Sequence, residues 1–228
     1  NQYFERDIDA RMDRTAKRRA LPQRRISPTS ALIFSLSIGA AGVFLFAYYF
    51  NWLVAALSLA TILFYSLFYT LFLKPNTSLN IVIGGAAGAM APVGAWAAAT
   101  GGTAPMPWLL FLIVFLWTPP HFWSLAMACK DDYVRADLPM LPVVKGEREA
   151  LRQILAYSMI LVLTTLALPF FGTGWLYLGA ALILGVFFIQ KSLNLRRAHR
   201  DGALKGYFGF SILYLFGLFF ALIIDALV

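Results

Sequence analysis

The chain has 228 residues, of which 60% are hydrophobic and only 13% are charged. Soluble domains carry about 25% charged residues, so this composition excludes an ordinary water-soluble globular protein. The net charge of +8 would suit a nucleic-acid-binding protein, but the basic residues lie between long apolar segments, and no nucleic-acid partner is expected.

Long apolar segments dominate the chain. A helix that crosses about 30 Å of hydrocarbon needs about 20 residues. The sequence contains seven such segments, at about 31–50, 52–73, 80–100, 107–128, 151–171, 175–192 and 208–227. They lack the alternation typical of barrel strands. The sequence therefore predicts an all-α fold, a polytopic membrane helical bundle.

The basic residues predict the topology of this bundle. All 19 fall in four groups: eight in residues 6–25, Lys74 alone, five in 130–152 and five in 191–205. The intervening connections, near Asn51 and at 101–106 and 172–174, contain none. The positive-inside rule therefore predicts that the basic loops face the cytoplasm, or the matrix in an organelle.

The chain begins with "NQYFERDIDARMDRT", which contains four acidic residues that topology does not require. In a helix, residues four apart are offset by only about 40°, so one oxygen-bearing stripe is predicted from Asn1, Glu5, Asp9 and Asp13. Asp7 points elsewhere. Such a stripe suits Mg²⁺, which proteins bind through one or two carboxylates, water and phosphate oxygens. The alternative is a solvated helix with pairs such as Asp7–Arg11.

A second segment combines acids and bases on the predicted cytoplasmic side. Its acidic residues are Asp131, Asp132 and Asp137, beside Lys130 and Arg135. The first segment likewise has bases suited to phosphate, namely Arg14, Lys17, Arg18 and Arg19. Two such segments on one side of a bundle predict a site for a metal-chelated diphosphate.

The fourth apolar segment contains His121 after the Pro119–Pro120 pair. Ionisable side chains within a membrane span usually face the bundle interior or a cavity, and the alternative is a packed core histidine. The double proline predicts a break in the helix. In the third segment, Gly84, Gly85 and Gly88 predict close helix packing.

Four blocks of the sequence resemble a known family. They are "NQYFERDIDARMDRT", "YTLFLKPNTSLNIVIGGAAGA", "WTPPHFWSLAM" with "DYVRADLPMLPVVKG", and "GYFGFSILYLFGLFFALIID". They are similar to the UbiA superfamily of intramembrane prenyltransferases, and within it to the protoheme IX farnesyltransferases (haem O synthases). This resemblance implies a bundle of nine transmembrane helices, of which seven are present here, so the chain is expected to lack the first helix and nearly all of the second.

The resemblance also implies a domain organisation. Residues 1–228 would form one prenyltransferase domain. Residues 1–30 would form a cytoplasmic loop with the first metal motif, and residues 129–150 a loop with the second Asp motif.

The implied reaction transfers a farnesyl group from farnesyl diphosphate to the vinyl group of protohaem IX (haem b), giving haem O. Mg²⁺ would be the cofactor and haem b a substrate. The implied metal ligands are Asn1, Glu5, Asp9 and Asp132, of which Asp9 and Asp132 are the catalytic candidates. Diphosphate binding is expected of Arg14, Lys17, Arg18, Lys130 and Arg135. His121 and Tyr133 would contact the porphyrin, with His121 either ligating the iron or bonding a propionate.

The implied location is the bacterial inner membrane rather than the mitochondrial one, within the lipid bilayer. A downstream haem A synthase or oxidase assembly factors are the candidate protein partners. This sequence departs from the family pattern at Glu5, where Asp is usual, at Arg19, where Pro is usual, and at Asp137, where Gly or Asn is frequent.

Two other functions stay open at this point. The first is a UbiA-type enzyme with another acceptor, such as a quinone precursor, chlorophyllide or a lipid. The second is a membrane transporter. Transporters bind substrate near the bilayer midplane, whereas most ionisable residues here lie at the cytoplasmic ends of the apolar segments.

Overall fold

The computed structural model describes residues 1–197 and 201–228, and within these residues every regular element is helical. Arg200, in the last basic group, lies outside the described residues. The α-helices are α1 (Gln2–Asp9), α2 (Asp13–Ala16), α3 (Pro28–Tyr49), α4 (Trp52–Leu63), α5 (Lys74–Asn76), α6 (Asn80–Ala89), α7 (Ala91–Thr100), α8 (Pro105–Ala128), α9 (Lys130–Arg135), α10 (Leu141–Val144), α11 (Glu147–Thr165), α12 (Trp175–Arg197) and α13 (Asp201–Asp225). A π-helix covers Phe64–Leu73, and a 3₁₀-helix covers Leu168–Phe171.

The predicted number of membrane-spanning segments is confirmed. Among the residues that the structure describes, seven helical stretches are long and apolar enough to cross a bilayer: Pro28–Tyr49, Trp52–Asn76, Asn80–Thr100, Pro105–Ala128, Glu147–Phe171, Trp175–Arg197 and Gly202–Asp225. The largest differences from the predicted boundaries are at the seventh, which begins six residues before the predicted start at 208, and at the sixth, which runs five residues beyond the predicted end at 192. The added residues of the sixth span include Arg196 and Arg197, so apolarity alone underestimates the length of this helix.

The chain divides into two compact units. The first comprises residues 1–103 and 130–140, and the second comprises residues 104–129 and 141–228. In the first unit, α3 packs on α4, α4 packs on α7, α6 packs on the π-helix, and α1 touches both α3 and the π-helix. This unit therefore contains both of the acidic segments singled out from the sequence.

Local sequence accounts for several helix boundaries in the first unit. Ser27 caps α3 by accepting from the Ser30 amide, and Pro28 follows at the first helical position, where its missing N–H costs nothing. Asn51 caps α4 by accepting from the Val54 amide at 3.0 Å, while its Nδ2 donates to the Ala97 carbonyl at 2.7 Å. The Asn51 side chain therefore both caps α4 and links it to α7.

The second membrane span changes from α-helix to π-helix at Phe64. The Thr70 hydroxyl donates to the Tyr65 carbonyl at 2.8 Å, five residues earlier. The rings of Tyr65 and Tyr69 stack with their centroids 5.0 Å apart and their planes 4° apart. Tyr69 lies directly against Gly84 of α6, where any Cβ would collide with the ring. The prediction of close packing is confirmed for Gly84, whereas at Gly88 a Cβ would meet no atom within 4 Å.

The second unit is a helical bundle in which α8 packs on α11 and α13, and α12 packs on the same two helices. Buried hydroxyl groups link these helices. The hydroxyl oxygen of Ser192 lies 3.0 Å from that of Ser158 and 3.3 Å from that of Tyr207, and the hydroxyl oxygens of Thr165 and Tyr214 are 3.4 Å apart. Such hydrogen bonds between helices satisfy polar groups that lipid cannot.

The predicted break at the double proline is wrong. Helix α8 is continuous through Pro119 and Pro120, and both prolines are buried. Spanning helices tolerate proline where neighbouring helices and hydroxyl side chains compensate for the lost backbone bonds. Pro119 and Pro120 have no amide hydrogen to donate to the carbonyls of Phe115 and Leu116, and α8 is held through this point by its packing on α11 and α13.

Asp225, near the end of the last helix, caps another helix. Its carboxylate accepts from the Gly174 amide at 2.5 Å and from the Tyr177 amide at 3.1 Å. These amides belong to the first turn of α12 and its preceding residue. A negative charge at a helix N-terminus is favourable, which gives this isolated acid a structural role.

Candidate active site

The first acidic segment forms a helix shorter than the predicted stripe. Glu5 and Asp9 lie in α1 and are 4% and 0% exposed, whereas Asp7 is exposed, as expected. The prediction for Asp13 is wrong. Helix α1 ends at Asp9, Met12 has extended backbone angles, and Asp13 begins α2. The change in direction removes Asp13 from the face shared by Glu5 and Asp9.

Two cations hold the buried acids. The Arg19 Nη1 contacts Glu5 Oε2 at 3.3 Å and also pairs with Asp9 Oδ2. Lys74 Nζ donates to Glu5 Oε1 at 2.5 Å. We call Glu5, Asp9, Arg19 and Lys74 the carboxylate cluster. The other carboxylate oxygen of Asp9, Oδ1, is buried without a hydrogen-bond partner.

The charge state of Arg19 follows from its surroundings. Burial lowers the pKa of its guanidinium, but its hydrogen bonds to Asp9 and Glu5 and the charges of these carboxylates raise it, and the resulting pKa lies above its ordinary value. Arg19 therefore remains a cation at any physiological pH.

The chain folds back after α1 to bring Arg19 to these acids. The Thr15 hydroxyl, which is buried, donates to the Asp9 carbonyl at 2.7 Å. The Arg19 amide donates to the Thr15 carbonyl at 2.9 Å. Thr15 thus links the end of α1 to the segment that carries Arg19.

The second acidic segment contacts the first. Asp132 in α9 accepts from the backbone amides of Asp13, at 3.2 Å, and Arg14, at 3.4 Å. Arg135 pairs with Asp132 and, at 2.7 Å, with Asp13. The hydrogen bond to Asp132 raises the pKa of Arg135, burial lowers it less, and the nearby acids Asp13, Asp132 and Asp131 raise it further. The two segments therefore lie next to each other, 119 residues apart in sequence.

Asp137 occupies a special backbone position just after α9. Its φ is +55°, in the left-handed region that favours Gly or Asn at the end of a helix. The Asp137 amide donates to the Val134 carbonyl, and the Leu138 amide donates to the Tyr133 carbonyl at 3.0 Å. This is the Schellman pattern, which fixes the direction of the chain after the second acidic motif.

The predicted metal ligands are only partly gathered. Within residues 1–197 and 201–228, no three acidic, histidine or cysteine side chains lie close enough to hold a metal ion together. Glu5 and Asp9 do converge on one nitrogen of Arg19, the position that a cation between them would take. The free Asp9 Oδ1 adds an unused acceptor. These residues fit Mg²⁺, and the full set of Asn1, Glu5, Asp9 and Asp132 stays a prediction.

The predicted diphosphate ligands differ in exposure. Arg14, Lys17, Arg18 and Arg135 are exposed, whereas Lys130 is half-buried. Of these, Arg135 is engaged by acids. The exposed bases of residues 14–18 follow directly on the fold-back of the chain and are accessible to an anionic ligand. Their role in diphosphate binding stays a prediction.

The two predicted porphyrin contacts are both buried. The His121 ring is stacked between Trp117, at 4.2 Å, and Phe208, at 4.3 Å, measured between ring centroids. Its Nδ1 lies 2.7 Å from the Ser211 hydroxyl. This environment is typical of a packed core histidine, the alternative left open by the sequence. Tyr133 belongs to α9, in the first unit.

Sequence reasoning did not select Lys74 or assign a role to Arg19 in holding the acids. Lys74 is the only basic residue between 26 and 129, and such an isolated charge at the end of a span is itself a signal of function. Tyr65 of the π-helix, whose ring stacks on Tyr69, was also missed.

The first unit also contains an apolar groove. It lies between α4 and the α6–α7 pair, has a volume of about 500 Å³, and is lined by residues such as Leu57, Ile62, Ala87, Gly88 and Ala91. Ligand pockets in proteins commonly have volumes of about 300–1,000 Å³.

The sequence profile of the UbiA prenyltransferase family matches residues 1–223. A curated relative from Novosphingobium aromaticivorans, named protoheme IX farnesyltransferase, is 47% identical over 100% of this chain and 76% of its own length.

Solved structures share the fold. A digeranylgeranylglyceryl phosphate synthase matches with a TM-score of 0.79 and 18% identity, over 99% of this chain and 78% of that one. A UbiA homolog from Archaeoglobus fulgidus, bound to DMAPP and Mg²⁺, matches with a TM-score of 0.63 and 15% identity, over 97% and 81% of the two chains. The chain therefore belongs to the UbiA prenyltransferase family.

Proposed function

We propose that this membrane protein transfers a farnesyl group from farnesyl diphosphate to the vinyl group of protohaem IX, giving haem O. The observation that carries the proposal is the buried Glu5–Asp9 pair, flanked by Arg19 and Lys74 and left with a free acceptor at Asp9 Oδ1. Relatives that match the whole of this chain bear the name of this activity.

The acids and bases have separate roles in this proposal. Glu5, Asp9 and Asp132, with Asn1, would hold Mg²⁺, which when bound stabilises the charge that develops on the departing diphosphate. Arg14, Lys17, Arg18, Lys130 and Arg135 would bind the diphosphate oxygens. Their positive charges would stabilise the charge that develops on the departing diphosphate.

The apolar helices would bind the isoprenoid chain and exclude water. An allylic cation reacts readily with water, so a closed apolar site favours attack by the vinyl carbon. The groove beside α4 is large enough for an isoprenoid chain and is lined mainly by hydrocarbon. After vinyl attack, addition of water completes the hydroxyethylfarnesyl group.

On the acceptor side we propose Tyr133 and His121 as porphyrin contacts. Since Ser211 engages Nδ1 of His121, Nε2 is the ring nitrogen that would face the iron or a propionate. We further propose that the basic loops face the cytoplasm across a bacterial inner membrane, and that the product passes to an enzyme that oxidises haem O.

The test is pigment analysis of membranes that contain the full-length protein. With farnesyl diphosphate, haem b and Mg²⁺, we expect haem O by chromatography and mass spectrometry. Asp9→Asn should reduce its formation by about two orders of magnitude or more, the usual effect of removing one preorganised electrostatic group.

The same membranes distinguish the rival functions. Incubation with a quinone precursor, chlorophyllide or a lipid as acceptor should give no prenylated product. Prenylation of one of these without haem O would overturn the proposed acceptor. Substrate flux in proteoliposomes lacking any prenyl donor would instead favour a transporter.

A further inference from the structure

The carboxylate cluster is already neutralised by the chain's own cations. Glu5 and Asp9 supply two negative charges, and Arg19 and Lys74 supply two positive charges within direct contact. The acids are almost fully buried, and Lys74 is only 14% exposed. A divalent cation added to this set would leave an excess of buried positive charge, which is costly in a medium of low dielectric constant.

Arg19 is the cation in direct conflict with a metal ion. Its Nη1 contacts both carboxylates, whereas Lys74 contacts only Glu5. A metal ion shared by Glu5 and Asp9 would take the place of this nitrogen. Lys74 could stay where it is.

Arg19 also has a path out of the cluster. It lies in the short segment after α2, its side chain is 29% exposed, and the neighbouring Lys17 and Arg18 are exposed. A guanidinium pairs well with phosphate oxygens. A diphosphate bound at this basic segment would therefore give Arg19 a new partner when Arg19 leaves Glu5 and Asp9.

We propose that Arg19 occupies the metal position in the metal-free protein and moves to the diphosphate when the metal binds. Metal alone must displace Arg19 without compensation and binds weakly. Metal together with diphosphate binds strongly, because the added negative charge accepts the displaced guanidinium. The two ligands are therefore thermodynamically coupled. This inference rests on the proposed function, since it takes the cluster to be the site of the metal and the diphosphate.

The test measures metal binding rather than turnover. Mn²⁺ binding to the purified full chain in nanodiscs is followed by electron paramagnetic resonance, with and without inorganic pyrophosphate. For the wild type, pyrophosphate should tighten Mn²⁺ binding by about tenfold or more. In Arg19→Gln, Mn²⁺ alone should bind about tenfold more tightly than to the wild type, and the effect of pyrophosphate should shrink.

Two further variants control for charge and folding. Arg25→Gln removes an exposed positive charge from the same basic group and should leave Mn²⁺ affinity and its coupling unchanged. Arg19→Lys keeps the charge but replaces the planar guanidinium with a single ammonium group, so its Mn²⁺ affinity should lie between those of the wild type and Arg19→Gln.

Two outcomes would contradict the inference, and they are distinguishable. If the wild type shows coupling but Arg19→Gln has unchanged or weaker Mn²⁺ binding, Arg19 does not compete with the metal, and the proposed function stands. If the wild type binds no Mn²⁺ under either condition, the metal site fails together with the inference.

Discussion

Asp132 connects the two acidic segments through the backbone rather than through another carboxylate. Both of its oxygens accept amides at the start of α2. The residue that family resemblance selects as a metal ligand therefore also fixes the segment leading to Arg19. The adjacent Asp131 is exposed, so two neighbouring residues of the same type have different surroundings.

Asp132→Ala should abolish haem O formation and lower the stability of the protein only modestly. The lost cap on α2 costs about 1 kcal/mol, which leaves the bundle folded. Pigment analysis measures the activity, and a thermal shift in detergent measures the stability. Asp131→Ala is the matched control and should retain activity. Normal haem O levels in Asp132→Ala membranes would refute the catalytic assignment.

Residue by residue, the site was predictable where periodicity operates and not where distant segments meet. The four-residue spacing correctly placed Glu5 and Asp9 on one face. It failed at Asp13 because the backbone turns at Met12. The pairing of Glu5 with Lys74 spans 69 residues, and no local pattern contains that information.

At the scale of elements, the contact between α6 and the π-helix is possible because residue 84 is a glycine and has no side chain. The Tyr69 ring occupies the space over Gly84, and Tyr69 is itself stacked on Tyr65. The ring therefore cannot move aside without disturbing a second aromatic side chain.

Gly84→Ala should destabilise the protein by about 1–3 kcal/mol, the usual cost of overpacking a close-packed contact. Gly88→Ala, in the same helix, meets open space and should have little effect. The midpoint of thermal unfolding in detergent compares the two. Equal midpoints for the two variants would show that Tyr69 is not packed on Gly84 as described.

A second element-level prediction concerns the cap of α12. Asp225→Ala removes the acceptor for two amides at the start of that helix and should cost about 1 kcal/mol. Hydrogen exchange of residues 174–178 should accelerate. Asp7→Ala, which changes an exposed acid, is the control for loss of charge and should leave this exchange unchanged.

At the scale of the whole molecule, the seven spans followed from hydropathy, because apolar length is a property of sequence alone. The continuity of α8 did not follow. Whether Pro119 and Pro120 break a helix depends on the neighbouring helices that pack against α8, and these are assembled only by the fold.

The alternation of basic and uncharged loops makes a testable prediction of topology. In a Cys129→Ser background, which removes the only cysteine, single cysteines are introduced as Thr103→Cys, Trp175→Cys, Gln23→Cys and Val144→Cys. An impermeant maleimide should label the first two in intact bacterial cells and the last two only after lysis. Labelling of all four in intact cells would contradict the positive-inside assignment.

The π-helix sets the rotational register of Lys74. Hydrogen bonds in a π-helix join residues five apart, one more than in an α-helix, so the segment Phe64–Leu73 behaves as a span with an inserted residue. Deleting one residue there would restore α-helical spacing and turn Lys74 by about 100° around the helix axis. Glu5 would lose its contact with Lys74 and keep only the one with Arg19. Membrane spans usually tolerate small changes in length. This span should not, because its length also sets the direction in which the Lys74 side chain points toward Glu5.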